Sequence, residues 1–280
     1  MKLLRYGPVG QEKPGLLDSK GQIRDLSDHV ADISGDTLSP SGLGRLGEIN
    51  IDSLPVVADG QRLGACVSGT GKFICIGLNY SDHAAETGAT VPPEPIIFMK
   101  ATSAIMGPND NIEIPRNSVK TDWEVELGVV IGRTAKYVSE DEAMDYVAGY
   151  CLINDVSERA FQAERQGQWT KGKSCDTFGP IGPWLVTKDE VADPQNLKMW
   201  CDVNGKRMQN GSSATMVYGV KHLVSYLSQF MSLQPGDIIS TGTPPGVGLG
   251  MKPPLYLKDG DVVTLGIQGL GEQRQECVQG

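Results

Sequence analysis

Apolar positions in this chain fall in short runs that turn residues close. Residues 3–6 (LLRY) and 14–18 (PGLLD) read as two strands, and Ser19-Lys20-Gly21 turns the chain into a third over 22–26, a hairpin. Short helical candidates follow near 27–47. Ser68-Gly69-Thr70-Gly71 is the strongest boundary signal, so 1–70 reads as a small N-terminal α/β module and 71–280 as the main domain. There, 72–77 and 96–100 read as strands around a short polar segment, 81–88, that Ser81 can cap and Gly88 can end. Residues 123–132 begin by alternating apolar with acidic positions. Ser139-Glu140-Asp141-Glu142 is a capping box and predicts a helix to about Ala148. Apolar residues at 216, 220, 223, 227, 230 and 231 predict another helix over 215–231. The C-terminal third alternates turns such as Pro235-Gly236-Asp237 with strands such as 262–265. The expected fold class is therefore α+β and β-rich, a mixed β-roll or sandwich. No G-x-G-x-x-G joins a strand to a helix, which argues against a nicotinamide cofactor.

Composition narrows the classes further. A chain of 280 residues buries a substantial core, and 35 Gly with 17 Pro favour a turn-rich architecture over a helical bundle. The net charge of −9, with no basic cluster, argues against nucleic acid but leaves a small anionic ligand open. Residues 1–7 lack the apolar core of a signal peptide, and no apolar run approaches the ~18 residues of a membrane span. Six cysteines without a C-x-x-C pair suit buried reduced thiols rather than a zinc knuckle or redox motif. The expectation is a cytoplasmic globular protein with no membrane partner.

Four segments carry candidate chemistry. In Glu124-Val125-Glu126, positions two apart on a strand share a face, so both carboxylates project together while Trp123, Val125 and Leu127 point into the opposite layer. Asp155 ends a second apolar run. Three oxygen ligands without Cys or His suit magnesium or manganese, although the acidic outer face of an edge strand carries the same pattern. His83 and Glu86, at i and i+3 of a helix, can act as a base and its orienting carboxylate, or lie together on a helix surface. Lys171 and Lys173 sit between an aromatic residue and a Gly-Pro turn, where a buried ammonium demands an anion; an exposed loop is the plainer alternative. Residues 239–248 (ISTGTPPGVG) lack a P-loop ending, yet such a turn can present hydroxyls and amides to a carboxylate.

Taken in order, Gly77-Leu78-Asn79-Tyr80 with Asp82-His83 and Glu86, Phe98-Met99-Lys100, Glu124-x-Glu126, Asn154-Asp155-Val156-Ser157-x-Arg159, Gln162, Lys171-Gly172-Lys173-Ser174 with Asp176-Thr177, and Ser240-Thr241-Gly242-Thr243 resemble the fumarylacetoacetate hydrolase family. The likeness runs from about residue 72 to the C-terminus. It implies a mixed β-roll of that family's type, usually a homodimer, acting on a small 2-oxo acid with Mg2+ (or Mn2+). It also implies metal ligands at Glu124, Glu126 and Asp155, a catalytic dyad of His83 and Glu86, and an active-site lysine at Lys173. Substrate contacts fall on Gln162, Thr243 and Lys100. C–C hydrolysis of a 2,4-diketo acid is the expected reaction. The alternatives are ureidoglycolate lysis, decarboxylation or isomerisation of hydroxymuconate-type acids, and a non-catalytic protein that keeps the metal as a staple.

Overall fold

The computed structural model describes residues 1–82, Glu86 and residues 90–280. Its strands are, in chain order, β1 (Lys2–Tyr6), β2 (Lys13–Leu17), β3 (Ile23–Asp25), β4 (Phe73–Gly77), β5 (Ile96–Lys100) and β6 (Ile105–Met106). Next come β7 (Ile112–Ile114), β8 (Thr121–Asp122), β9 (Val125–Ile131), β10 (Val147–Asn154), β11 (Ser157–Glu158) and β12 (Gly179–Pro180). The last are β13 (Leu185–Thr187), β14 (Lys198–Val203), β15 (Lys206–Ser212), β16 (Ile238–Ser240), β17 (Val262–Ile267) and β18 (Gly271–Gln279). A nine-stranded sheet runs β3-β2-β1-β13-β10-β9-β16-β4-β5, and a five-stranded sheet runs β15-β14-β17-β18-β7. Strands dominate, as the short apolar runs predict. No described helix is long and apolar enough to cross a membrane.

Alternation along β9 and β10 builds two cores on opposite faces of the large sheet. Val125, Leu127, Val129 and Ile131, with Trp123 before them and Tyr150 and Leu152 of β10, join a core that includes Met199, Cys201, Val263 and Leu265 of the smaller sheet. Val130, Cys151 and Ile153 face the other way. They pack with Leu26, Ile33, Leu38, Leu46 and Leu54 from the N-terminal segment, each worth about 1.5–3 kcal/mol when fully buried. The module expected over 1–70 thus shares both its core and its sheet with the rest of the chain. The predicted hairpin is present as β2 and β3, and β1 pairs with β13.

Two helix expectations are corrected. The capping box at 139–142 is made, with Ser139 Oγ donating to Glu142 Oε2 at 2.7 Å. Only a 3-10 turn follows, Ala143–Tyr146, because Val147 already opens β10 in the middle of the sheet, where pairing overrides local propensity. The helix predicted over 215–231 spans only Val220–Ser228. Met216 is held extended by a bridge to Tyr80, and the Val217 and Tyr218 amides donate to the Asn79 carbonyl and side chain at 2.8 and 2.9 Å.

Buried amides pin the sheets together where the acidic motif lies. Gln209 of β15 accepts the Val125 amide at 2.9 Å and donates to Thr243 Oγ1 and the Pro244 carbonyl, both at 2.8 Å. Asn154 accepts the Glu124 amide at 3.1 Å and donates to Gln275 of β18 at 3.1 Å. Replacing Gln209 with alanine strips buried partners of their hydrogen bonds, each left alone at about 1–3 kcal/mol. Gln209→Ala is therefore expected to lower stability by about 2–4 kcal/mol, read from the urea midpoint. An unchanged midpoint contradicts the role of the pin.

Candidate active site

The register of β9 against β10 creates the site. Val125 lies opposite Asn154 and Glu126 opposite Ile153, so Glu124 falls opposite Asp155, whose amide donates to the Glu124 carbonyl at 2.9 Å. Residues opposite or two apart share a face, which brings Glu124, Glu126 and Asp155 together. All three are buried, with a carboxylate oxygen of each within 4.8 Å of the others. A solvated edge-strand face is excluded: β9 is an interior strand and its acids are enclosed.

Cations balance most of this charge. Lys173, ending the helix Thr170–Lys173, donates to Glu124 Oε2 at 2.7 Å and Asp155 Oδ2 at 2.8 Å. Lys100, at the end of β5, pairs with Asp155 Oδ1 at 2.5 Å. Arg159, opening the helix Arg159–Ala163, contacts Glu124 Oε1 at 2.7 Å and Asp122 Oδ2 at 2.8 Å. Burial works against the Lys173 ammonium, but Asp155 and Glu124 outweigh it and hold its pKa above the ordinary lysine value. Arg159 is likewise opposed by burial and raised by Glu124 and Asp122.

Glu126 differs. It accepts Ser240 Oγ at 2.5 Å and the Gly242 amide at 2.9 Å, and pairs with no cation among the described residues. Gly242 takes a φ of +97°, and a Cβ there would stand 2.9 Å from that of Asn79, so glycine delivers this amide. Burial, with Asp155 and Glu124 beside it, pushes the Glu126 carboxyl well above the usual glutamate range. With Glu126 ionised, as a metal ligand must be, four carboxylates (Asp122, Glu124, Glu126, Asp155) face three cations (Lys100, Arg159, Lys173) among the described residues, an excess of one negative charge in a buried place. That excess, and an all-oxygen donor set, fit a hard divalent cation held by Glu124, Glu126 and Asp155.

A cavity of about 330 Å³ opens onto the carboxylates, walled by Ile76, Leu78, Phe98, Trp169, Val247 and Leu249. Trp169 closes over Gly77, where a Cβ would meet its ring at 2.6 Å, and packs edge-on to Phe98 with centroids 5.2 Å apart. Gln162 and Thr243, the expected substrate contacts, line the cavity. Gln162 accepts from Arg159 at 3.2 Å, while the Thr243 hydroxyl donates to the Val125 carbonyl at 2.9 Å and retains only acceptor capacity. Glu86 accepts the Gly246 amide, on the turn after β16. His83 lies outside the described residues.

Lys100 is placed elsewhere than the substrate contact expected of it. It stands behind Asp155, its ammonium committed to that carboxylate and to the Val156 and Lys173 carbonyls at 2.9 and 2.6 Å. It holds Asp155 in place and is not among the residues that line the cavity. The turn at 239–248 does present hydroxyl and amide groups to carboxylates, but to the protein's own Glu126 and Glu86. Arg159, Asp122 and Trp169 are site residues that the sequence patterns do not assign. The alternation Asp122-x-Glu124-x-Glu126 was a usable signal for a third acid, and a third acid needs a further cation; Trp169 left no comparable trace.

Fold and site together define a class: strand-rich proteins that gather buried carboxylates for a divalent metal beneath an apolar cavity. The family model described as fumarylacetoacetate hydrolase, C-terminal, matches residues 72–278, and the chain belongs to this family of enzymes. A putative hydrolase of Burkholderia lata is 65% identical over 276 residues, covering 98% of both chains. Among solved structures, a fumarylacetoacetate hydrolase from Exiguobacterium antarcticum has a TM-score of 0.89 at 36% identity over all of both chains. A 5-carboxymethyl-2-hydroxymuconate delta-isomerase from Mycobacterium smegmatis gives 0.79 at 32% over 100% of this chain and 99% of its own. A maleylpyruvate hydrolase from Sphingobium, solved with manganese and pyruvate, gives 0.83 at 28% over all of both chains.

Mn2+ or Mg2+ is expected to stabilise the protein by about 2.7 kcal/mol at a hundredfold excess over Kd. Glu126→Gln should lose most of that gain in a thermal melt. Because the Glu126 carboxyl is raised, it holds its proton further up the pH scale and the metal must displace that proton. Affinity should therefore keep rising with pH above the usual glutamate range, with protons released on binding; affinity falling with pH, or proton uptake, contradicts this.

Proposed function

We propose that the protein is a magnesium- or manganese-dependent hydrolase that cleaves the C–C bond of a small 2,4-dioxo acid. The observation that carries this reading is the buried Glu124–Glu126–Asp155 cluster with its one excess negative charge, placed under an apolar cavity with Lys173 at its base. When bound, the metal supplies positive charge that polarises the 2-oxo group and offsets negative charge developing on the substrate's oxygens.

The chain's own groups have separate tasks. Two of the three Lys173 N–H bonds are taken by Glu124 and Asp155. The third is left to orient the oxo acid and to return a proton at C3. Gln162 and Thr243 offer polar contacts along the wall, and Phe98 and Trp169 exclude bulk water. His83, oriented by Glu86, is the base assigned to the attacking water. Water adds at C4, the C3–C4 bond breaks with its electron pair leaving on C3, and protonation there gives pyruvate beside a carboxylic acid. The particular substrate we put first is L-2,4-diketo-3-deoxyrhamnonate, yielding pyruvate and lactate. Its single distal hydroxyl and terminal methyl suit a mostly apolar wall. A homodimer in the cytoplasm is the assembly and place this reading expects.

The second reading keeps the site and changes the bond. The likeness to a delta-isomerase supports an isomerase of hydroxymuconate-type acids, and lysis of ureidoglycolate or decarboxylation would use the same residues. Pyruvate release decides between them, measured on metal-stripped protein with and without Mg2+ or Mn2+. The panel is the diketo-deoxyrhamnonate, acetylpyruvate, oxaloacetate and ureidoglycolate. Metal-dependent pyruvate from the diketo acids, fastest from the sugar acid, is expected. Glyoxylate from ureidoglycolate with the diketo acids untouched assigns the lyase. His83→Ala should lower kcat by about 10²–10⁴, and near-wild-type turnover in that variant removes His83 from the role of base.

A further inference from the structure

The cavity end away from the three carboxylates has a chemistry of its own. Beyond the apolar wall, the charged residues lining it outside the acidic network, among the described residues, are Lys120 and Glu164, which pair with each other. Both remain partly exposed, with side chains 33% and 58% accessible, which places them at the mouth. The helix Arg159–Ala163 sets their distance from the carboxylates. Arg159, at its start, touches Glu124 and gives its amide to the Lys120 carbonyl at 3.0 Å, while Glu164 caps its end. At about 1.5 Å rise per residue, Glu164 stands roughly 7–8 Å along the axis from Arg159, the length of a short acyl tail.

Each described cation lining the cavity therefore already has a carboxylate. Lys173 has Glu124 and Asp155, Arg159 has Asp122 and Glu124, and Lys120 has Glu164. A ligand whose tail ended in a second carboxylate would meet no unmatched positive charge among the described residues there, and would face Glu164 at the mouth. We infer that Glu164 is a specificity-determining residue: by occupying Lys120 it turns the site toward 2-oxo acids with a short uncharged tail and against dicarboxylic ones. Selection of this kind works through a repulsive element set against the wrong ligand. The inference rests on the reading of the cavity as a 2-oxo acid site, but not on which bond is broken. Its rival is also concrete: an exposed ion pair is weakly held, and Lys120 could leave Glu164 to grip a distal carboxylate itself.

Calorimetric binding to the full chain in Mg2+ separates these, with no turnover needed. The probes are 2-oxoglutarate against 5-methyl-2-oxohexanoate, its isostere with an uncharged tail, and 2-oxoadipate against 6-methyl-2-oxoheptanoate. The member of each pair with the uncharged tail should bind the wild type at least about tenfold more tightly. Glu164→Gln should narrow that ratio to about threefold or less, and Lys120→Met, which leaves Glu164 without its partner, should widen it. Diacids that bind the wild type as well as their isosteres, and lose affinity in Lys120→Met, overturn the inference in favour of the rival. If the isosteres bind and Glu164→Gln leaves the ratio unchanged, Glu164 is not the discriminator. Absence of binding by all four acids removes the 2-oxo acid reading, and this inference with it. A hydrolase assay that fails while the isosteres bind as expected removes only the assignment of the reaction.

Discussion

Two strands that pair one step past their last ladder residues put Glu124 beside Asp155, and the two-residue period of β9 adds Glu126 to the same face. Like charges this close and this buried repel strongly unless cations lie among them. The surrounding structure answers that constraint. Lys173 bridges two of the acids, Lys100 backs Asp155, and Arg159 holds Glu124 together with Asp122. Glu126 alone is left to neutral donors. The incomplete neutralisation is what makes the cluster a place for a metal; full pairing by side chains would make it a structural ion-pair network.

Holding such a cluster requires a rigid frame. The backbone amides of Glu124 and Val125 are fixed by Asn154 and Gln209, and these side chains reach into the second sheet through Gln275 and along β15. The two-sheet packing and the site are therefore one construction. The face of β9 that carries Trp123, Val125 and Leu127 builds the core, and the face behind it carries the chemistry.

Much of this was legible in the sequence. The alternation at 123–127 gave the common face of the two glutamates, and the apolar run ending in Asn154-Asp155 gave the third acid. What it did not give were properties of pairing in three dimensions. The 139–142 capping box is satisfied locally, yet Val147 is drawn into the middle of a sheet, and no local signal reports that neighbours on both sides are waiting. Met216 fits a helical stripe but is held extended by Tyr80. A substrate contact at Lys100 is implied only by the family resemblance. Only its three buried acceptors show that it serves Asp155 instead. Trp169 becomes a cavity wall because Gly77, far away in sequence, makes room for it.

The central claim is that Glu124, Glu126 and Asp155 jointly hold one divalent cation, and anomalous diffraction from crystals soaked in Mn2+ tests it most directly. The account predicts one strong peak per chain at about 2.0–2.2 Å from an oxygen of each of the three carboxylates, at the buried end of the apolar cavity. No peak there, or a peak bound elsewhere in protein that still shows metal-dependent turnover, would contradict it.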